Sequence, residues 1–184
     1  MDWLTFIAEM LKILIWPIIV VAIILLLRRQ ITNLIPNLRH IKFKDFELEF
    51  AKDLQKVNQH IKQLSLPKYV DNEDLKYKAG ELKNLAYNST RGAILEMWLL
   101  IENQLQEIAN KKLGDVPNKY SVRTLLELLF KEKIIPQGIY SIFKELRAIR
   151  NKTIHEDEFD INISQADEYI DMSFRFLAYL KSIS

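Results

Sequence analysis

Residues Ser89–Ala109 read STRGAILEMWLLIENQLQEIA. Ile94, Met97, Trp98, Ile101, Leu105 and Ile108 recur every three or four residues, so they line one face of a helix. Ser89 or Asn88 is suited to cap or kink the chain at its start, and Gly114 followed by Pro117 stops it. This one stretch sets the fold class of the C-terminal region as all-α. Its apolar stripe needs other helices to cover it.

The sequence outward from this stretch supplies them. Periodicity is helical from Asn72 onward. Ser121 is a good N-cap for a short helix carrying Leu125, Leu126, Leu128 and Leu129. Pro136 is expected at the first position of the next helix, whose stripe runs Ile139, Phe143, Leu146 and then Arg150. A loop EDEFDINI follows, and Ser164 is expected to cap a last helix facing Ala166, Tyr169, Ile170, Phe174, Leu177 and Leu180 inward. Residues 72–184 therefore read as about four main helices in an antiparallel bundle.

The 184 residues hold no cysteine, which excludes disulfides, a thiolate nucleophile and thiolate metal sites. No glycine-rich phosphate loop, G-x-S-x-G or H-E-x-x-H is present. His40, His60 and His155 lack metal-ligand spacing. No cofactor and no metal are expected.

At the other end, Ile13–Leu27 reads ILIWPIIVVAIILLL, fifteen positions without a charge. Together with Ala8–Lys12 the run approaches the length of a membrane span, with Trp3 and Phe6 at an interface. Residues 1–28 are expected to form a retained transmembrane anchor. Residues 1–27 carry Asp2, Glu9 and Lys12, a net charge of −1, whereas residues 28–44 carry Arg28, Arg29, Arg39, Lys42 and Lys44, a net of +5. The positive-inside rule then places the C-terminal side in the cytoplasm of a single-pass inner-membrane protein. Of the chain's net +2, this leaves −2 for residues 45–184, so the domain is slightly acidic. Any nucleic-acid contact there is local rather than a broad electrostatic footprint.

Residues 29–71 connect the two regions. Ile41–Phe50 reads IKFKDFELEF, whose alternation predicts a half-buried strand that needs a partner. Phe50, Leu54, Val57, Ile61 and Leu64 then fall at heptad spacing. Two heptads fit a short coiled coil between subunits and an amphipathic helix lying on its own domain equally well. Leu66-Pro67 closes this helix.

The chemistry sits in ELRAIRNKTIHED. Arg147, Arg150, Asn151 and His155 crowd into nine residues, and Arg150 continues an apolar stripe. A guanidinium facing a packed surface needs a partner or a task. On a continuous helix Asn151 and His155 share a face, but Arg150 and His155 lie about 140° apart. The latter two converge only if the helix ends or bulges near Lys152, or if two copies meet. Arginine and histidine beside an amide suit phosphate chemistry. Histidine moves the proton and guanidinium holds the phosphate.

The string Arg150-Asn151-Lys152-Thr153-Ile154-His155 resembles the R-x4–6-H motif of the HEPN superfamily. Ser89–Ala109 is similar to the first long helix of HEPN domains, and the last helix, with Ala166 and Tyr169-Ile170, is similar as well. The resemblance covers about residues 75–184. It implies a homodimer with both motifs facing one cleft, and a metal-independent ribonuclease of phage-defence or toxin–antitoxin systems. Carried over, Arg150 and His155 are catalytic and Asn151 supports them, while Glu102 is placed to orient Arg150. Arg147 lies one turn earlier, with a surface charge as its plainer role. Other members of the superfamily bind nucleotides or proteins. The alternative implied is therefore a non-catalytic membrane-tethered scaffold that dimerises and recruits a cytosolic partner. The partners expected are thus the lipid bilayer, a second copy or higher oligomer, RNA, and a regulatory protein of unknown identity.

Overall fold

A computed structural model describes residues 3–114, 120–155 and 161–184; at 4–6, 8, 11, 29–46 and 155 it describes the backbone alone. Among the described residues there are six α-helices and one 3₁₀ turn, with no strand. The chain divides into two compact units, Met1–Asp45 and Phe46–Ser184.

The first unit is helical from Trp3 on, as part of α1 (Trp3–Gln63). Its apolar run is exposed on all sides, with Ile13, Trp16 and Leu26 each at 75%. The transmembrane anchor expected over residues 1–28 is not supported. Among the described residues, no helix is long and apolar enough to cross a membrane. The charge-free run is bracketed by Lys12 and Arg28, and fifteen residues rise about 22 Å against a hydrocarbon core of about 30 Å.

The strand expected in the connector is also corrected, because residues 41–50 lie within α1. Phe43, Phe46, Phe50, Leu54, Val57 and Ile61 step by three or four residues, a helical spacing that the alternation of Ile41–Phe50 obscured. A helix satisfies its own backbone groups, whereas a lone strand leaves both edges unpaired. In the second unit Phe50, Leu54, Val57 and Ile61 are at most 1% exposed and join the core. Of the two alternatives for the heptad stripe, the amphipathic helix on its own domain is the one observed.

After α1 come a 3₁₀ turn (Tyr69–Asp71), α2 (Glu73–Asn88), α3 (Thr90–Leu113), α4 (Val122–Lys131), α5 (Gln137–His155) and α6 (Ile163–Ile183). Among the described residues five helices thus follow Asn72, rather than about four. Helices α2, α3 and α6 pack on one another, and α3 also meets α4 and α5. All six residues of the α3 stripe and all six of the α6 stripe are buried.

The caps explain the boundaries. The Asn72 side chain accepts from Leu75 N, Ser89 from Gly92 N and Ser121 from Thr124 N. The cap of α6 is Asn162 rather than Ser164. Asn162 and Gln165 form a reciprocal capping box that satisfies two amides at once. Pro136 stands just before α5, its carbonyl accepting from Tyr140 N at 3.1 Å. Gly114, with φ +87°, ends α3.

Two helix ends adopt the left-handed conformation without glycine. Lys133 has φ 58°, and Ile134 N donates back to Leu129 O at 2.9 Å. Ser65 has φ 49°, with Leu66 N donating to Ile61 O at 3.2 Å. Both are Schellman-type closures. A side chain in this region costs about 1 kcal/mol relative to glycine. Lys133→Gly is expected to raise unfolding stability by about that amount, measured by chemical denaturation. A loss of stability would contradict the cap assignment.

Candidate functional site

Helix α5 carries the motif, and it runs unbroken through His155. Among the described residues, α5 has no break or bulge at Lys152. Within one copy Arg150 and His155 therefore occupy register positions about 140° apart. The side chain of His155 lies outside the described residues.

Arg150 is half-buried at the edge of the core face of α5. Its guanidinium lies 5.9 Å from the Trp98 ring centroid, a cation–π arrangement. Its Nη1 donates to Asn151 Oδ1 at 3.2 Å, and its Nε is buried with no hydrogen-bond partner. The sequence-predicted pair Arg150 and Asn151 is thus brought together. Arg147 is half-buried three residues before Arg150 and forms no ion pair among the described residues.

Glu102 does not pair with Arg150 directly. Its Oε1 accepts from Trp98 Nε1 at 2.5 Å. The carboxylate therefore fixes the indole on which Arg150 rests. Trp98 also packs against Phe143 at 5.2 Å between ring centroids, which ties α3 to α5. Beneath these groups, burial pushes the Tyr169 phenol well above the usual tyrosine range, with Arg150 acting in the opposite direction. The phenol stays neutral, and its hydroxyl points to Leu146 O at 3.5 Å. Thr153, also buried, donates back to Ile149 O at 3.0 Å.

Lys152 was not singled out by the sequence, yet it makes two ion pairs. Its ammonium meets Glu49 at 2.7 Å and Asp53 at 2.5 Å, both on α1. Burial lowers the Lys152 ammonium, and Asp53 and Glu49 outweigh that, leaving it above the usual lysine range. The hydrogen bond from Lys152 holds the Glu49 carboxyl below the usual glutamate range. This cross-link is complete at neutral pH and loosens as pH falls through Glu49's lowered value. Two turns further along the same seam, Glu145 meets His60 Nδ1 at 2.9 Å and Lys56 at 3.4 Å. A groove of about 310 Å³ runs between these pairs, lined by Asp53, Lys56, Ser141, Lys144, Glu145 and Ala148.

The signal for Lys152 was present in the sequence. Glu49 and Asp53 are four apart and share a helix face, a relation that the strand reading of Ile41–Phe50 concealed. Among the described residues, no group of three or more His, Asp or Glu is arranged to hold a metal ion. No family model, curated protein or solved structure matches the chain.

The Trp98 platform gives a direct test. Trp98→Phe keeps a ring under Arg150 but leaves Glu102 without its donor, and is expected to cost about 1–2 kcal/mol. Trp98→Ala also removes the packing against Phe143 and is expected to cost about 3–5 kcal/mol. A Trp98→Phe variant as stable as the wild type in urea denaturation would exclude a role for the indole N–H.

Proposed function

We propose that this chain is a metal-independent endoribonuclease of the HEPN type, working as a dimer. The observation that carries the reading is the state of Arg150. It is a half-buried guanidinium set over Trp98 beside Asn151, with a buried Nε that has no partner. A guanidinium on such a platform presents its outer N–H groups as a fork for a phosphate. The likeness of Arg150–His155 to the HEPN motif supports the rest.

In this reading His155 takes the proton of an RNA 2′-hydroxyl. The oxygen attacks the adjacent phosphorus, and the bond to the 5′-oxygen breaks. The imidazolium returns its proton to that leaving oxygen. Arg150 offsets the charge that grows on the phosphoryl oxygens, and Asn151 holds the guanidinium plane. The products end in a 2′,3′-cyclic phosphate and a 5′-hydroxyl. The 140° between Arg150 and His155 on one helix is the reason for a second copy. Phage defence or a toxin–antitoxin pairing, with a regulatory protein partner, belongs to the same proposal.

The test is cleavage of mixed RNA by the full chain in EDTA. Arg150→Ala and His155→Ala are each expected to lower the rate at least 100-fold while the helical signal is retained. Wild-type rates in both variants would end the nuclease reading.

A second reading is a scaffold that dimerises and recruits a protein. It is favoured by the partners that the motif already has inside its own unit, namely Trp98 and Asn151 for Arg150, and Glu49 and Asp53 for Lys152. It is the reading to adopt if the same variants melt earlier and the wild type cuts nothing.

Association with a bilayer at the cytoplasmic membrane is the third part of the proposal. Its support is the exposed apolar run containing Ile13, Trp16 and Leu26. The full chain is expected to sediment with membranes, and an Ile13→Glu, Trp16→Glu, Leu26→Glu variant to stay in the supernatant. Equal sedimentation of the two would refute it.

A further inference from the structure

Lys152 lies inside the Arg150–His155 string, yet its charge is spent on α1. Glu49 and Asp53 stand four residues apart on one face of that helix, and both carboxylates reach the same ammonium. Two anions on one cation leave the spot with a formal charge of −1. The arrangement imitates what a nucleic-acid strand would offer there, two anionic groups a few ångströms apart. Helix α5 carries Lys144, Arg147, Arg150 and Lys152 against the single carboxylate of Glu145. Lys152 is also three residues before His155, so the two occupy neighbouring register positions on α5.

The seam is polar rather than apolar at this point, which matters for reversibility. Lys152 retains 26% exposure of its side chain, Asp53 34% and Glu49 65%. Ion pairs this wet exchange partners at little cost, because water and competing ions screen them. The buried stripe Phe50, Leu54, Val57 and Ile61 holds α1 in place independently of them. Exchange at Lys152 therefore needs no unfolding.

We infer that Glu49 and Asp53 form an autoinhibitory latch. They occupy Lys152, and an RNA phosphate must displace them before that lysine contributes to binding. The inference rests on the ribonuclease reading for the identity of its ligand. It adds to that reading a cation that waits for substrate and a pair of carboxylates that sets a threshold for it.

The test measures binding separately from cleavage. Every form carries His155→Ala and is titrated against a fluorescent single-stranded RNA at several salt concentrations. Glu49→Gln with Asp53→Asn keeps the side-chain shapes and removes both charges. This pair is expected to bind several-fold tighter, with a salt slope steeper by about 0.7, the value of one added phosphate contact on a single strand. The same pair in a Lys152→Ala background is expected to show no such gain. Glu49→Gln alone, at the more exposed carboxylate, serves if the double variant does not fold, and it is expected to move in the same direction. RNA binding with no gain from either variant overturns the latch and leaves the nuclease reading standing. A gain that persists without Lys152 is a general charge effect and also overturns it. No RNA binding by any form removes the nuclease reading and the latch together.

Discussion

The Trp98 ring stands where three helices depend on it. It packs on Phe143 of α5, and Phe143 in turn lies 6.4 Å from Phe176 of α6. Its N–H is held by Glu102 of its own helix, one turn on, and its face carries the Arg150 guanidinium. A cation at the margin of an apolar core is costly unless a polarisable surface receives it. The indole supplies that surface. It explains how an apolar stripe made of Ile139, Phe143 and Leu146 can end in an arginine without breaking the bundle. It also fixes where that arginine is, which is the precondition for any chemistry it performs.

The second constraint is the continuity of α5. Because the helix runs to His155, its register distributes the motif around the axis rather than gathering it. Arg150 turns toward α3 and α6, and Lys152 turns toward α1. One six-residue string therefore joins two seams of different character. The α3 seam is aromatic and nearly dry, whereas the α1 seam is a ladder of ion pairs flanking a groove. Rigidity on one side and exchangeable contacts on the other suit a surface that must hold one residue still while releasing another.

How much of this was legible beforehand depended on the length of each periodic signal. The α3 and α6 stripes are six residues each at helical spacing, and every member is buried, because a long 3.6-residue period has no competing explanation. Ile41–Phe50 is short and alternates by chance at a two-residue period. A helix and a strand place its aromatics equally well, and only the neighbouring Leu54, Val57 and Ile61 decide between them. The cap of α6 was misplaced by two residues because both Asn162 and Ser164 are good caps, and Gln165 selects the former by completing a capping box. At the site, Arg150 with Asn151 was visible as a motif. Trp98 and the pair Glu49 and Asp53 were not, since they are 52, 103 and 99 positions away from the residues they touch, and linear spacing is silent about such distances.

Charge brings these strands together. Residues 45–184 are net negative, which argues against broad attraction of a polyanion. That average conceals a division of labour between two helices. The face of α1 that meets α5 supplies Glu49 and Asp53, and α5 supplies four of the domain's cations along one helix. The field near the motif is therefore set by the carboxylates that sit on Lys152, not by the sum over the domain. At a Debye length of about 8 Å, charges on distant helices are screened more completely than those within this seam. On the proposed reading, discrimination comes from local geometry, since only a ligand able to replace two carboxylates at once gains the full benefit of Lys152.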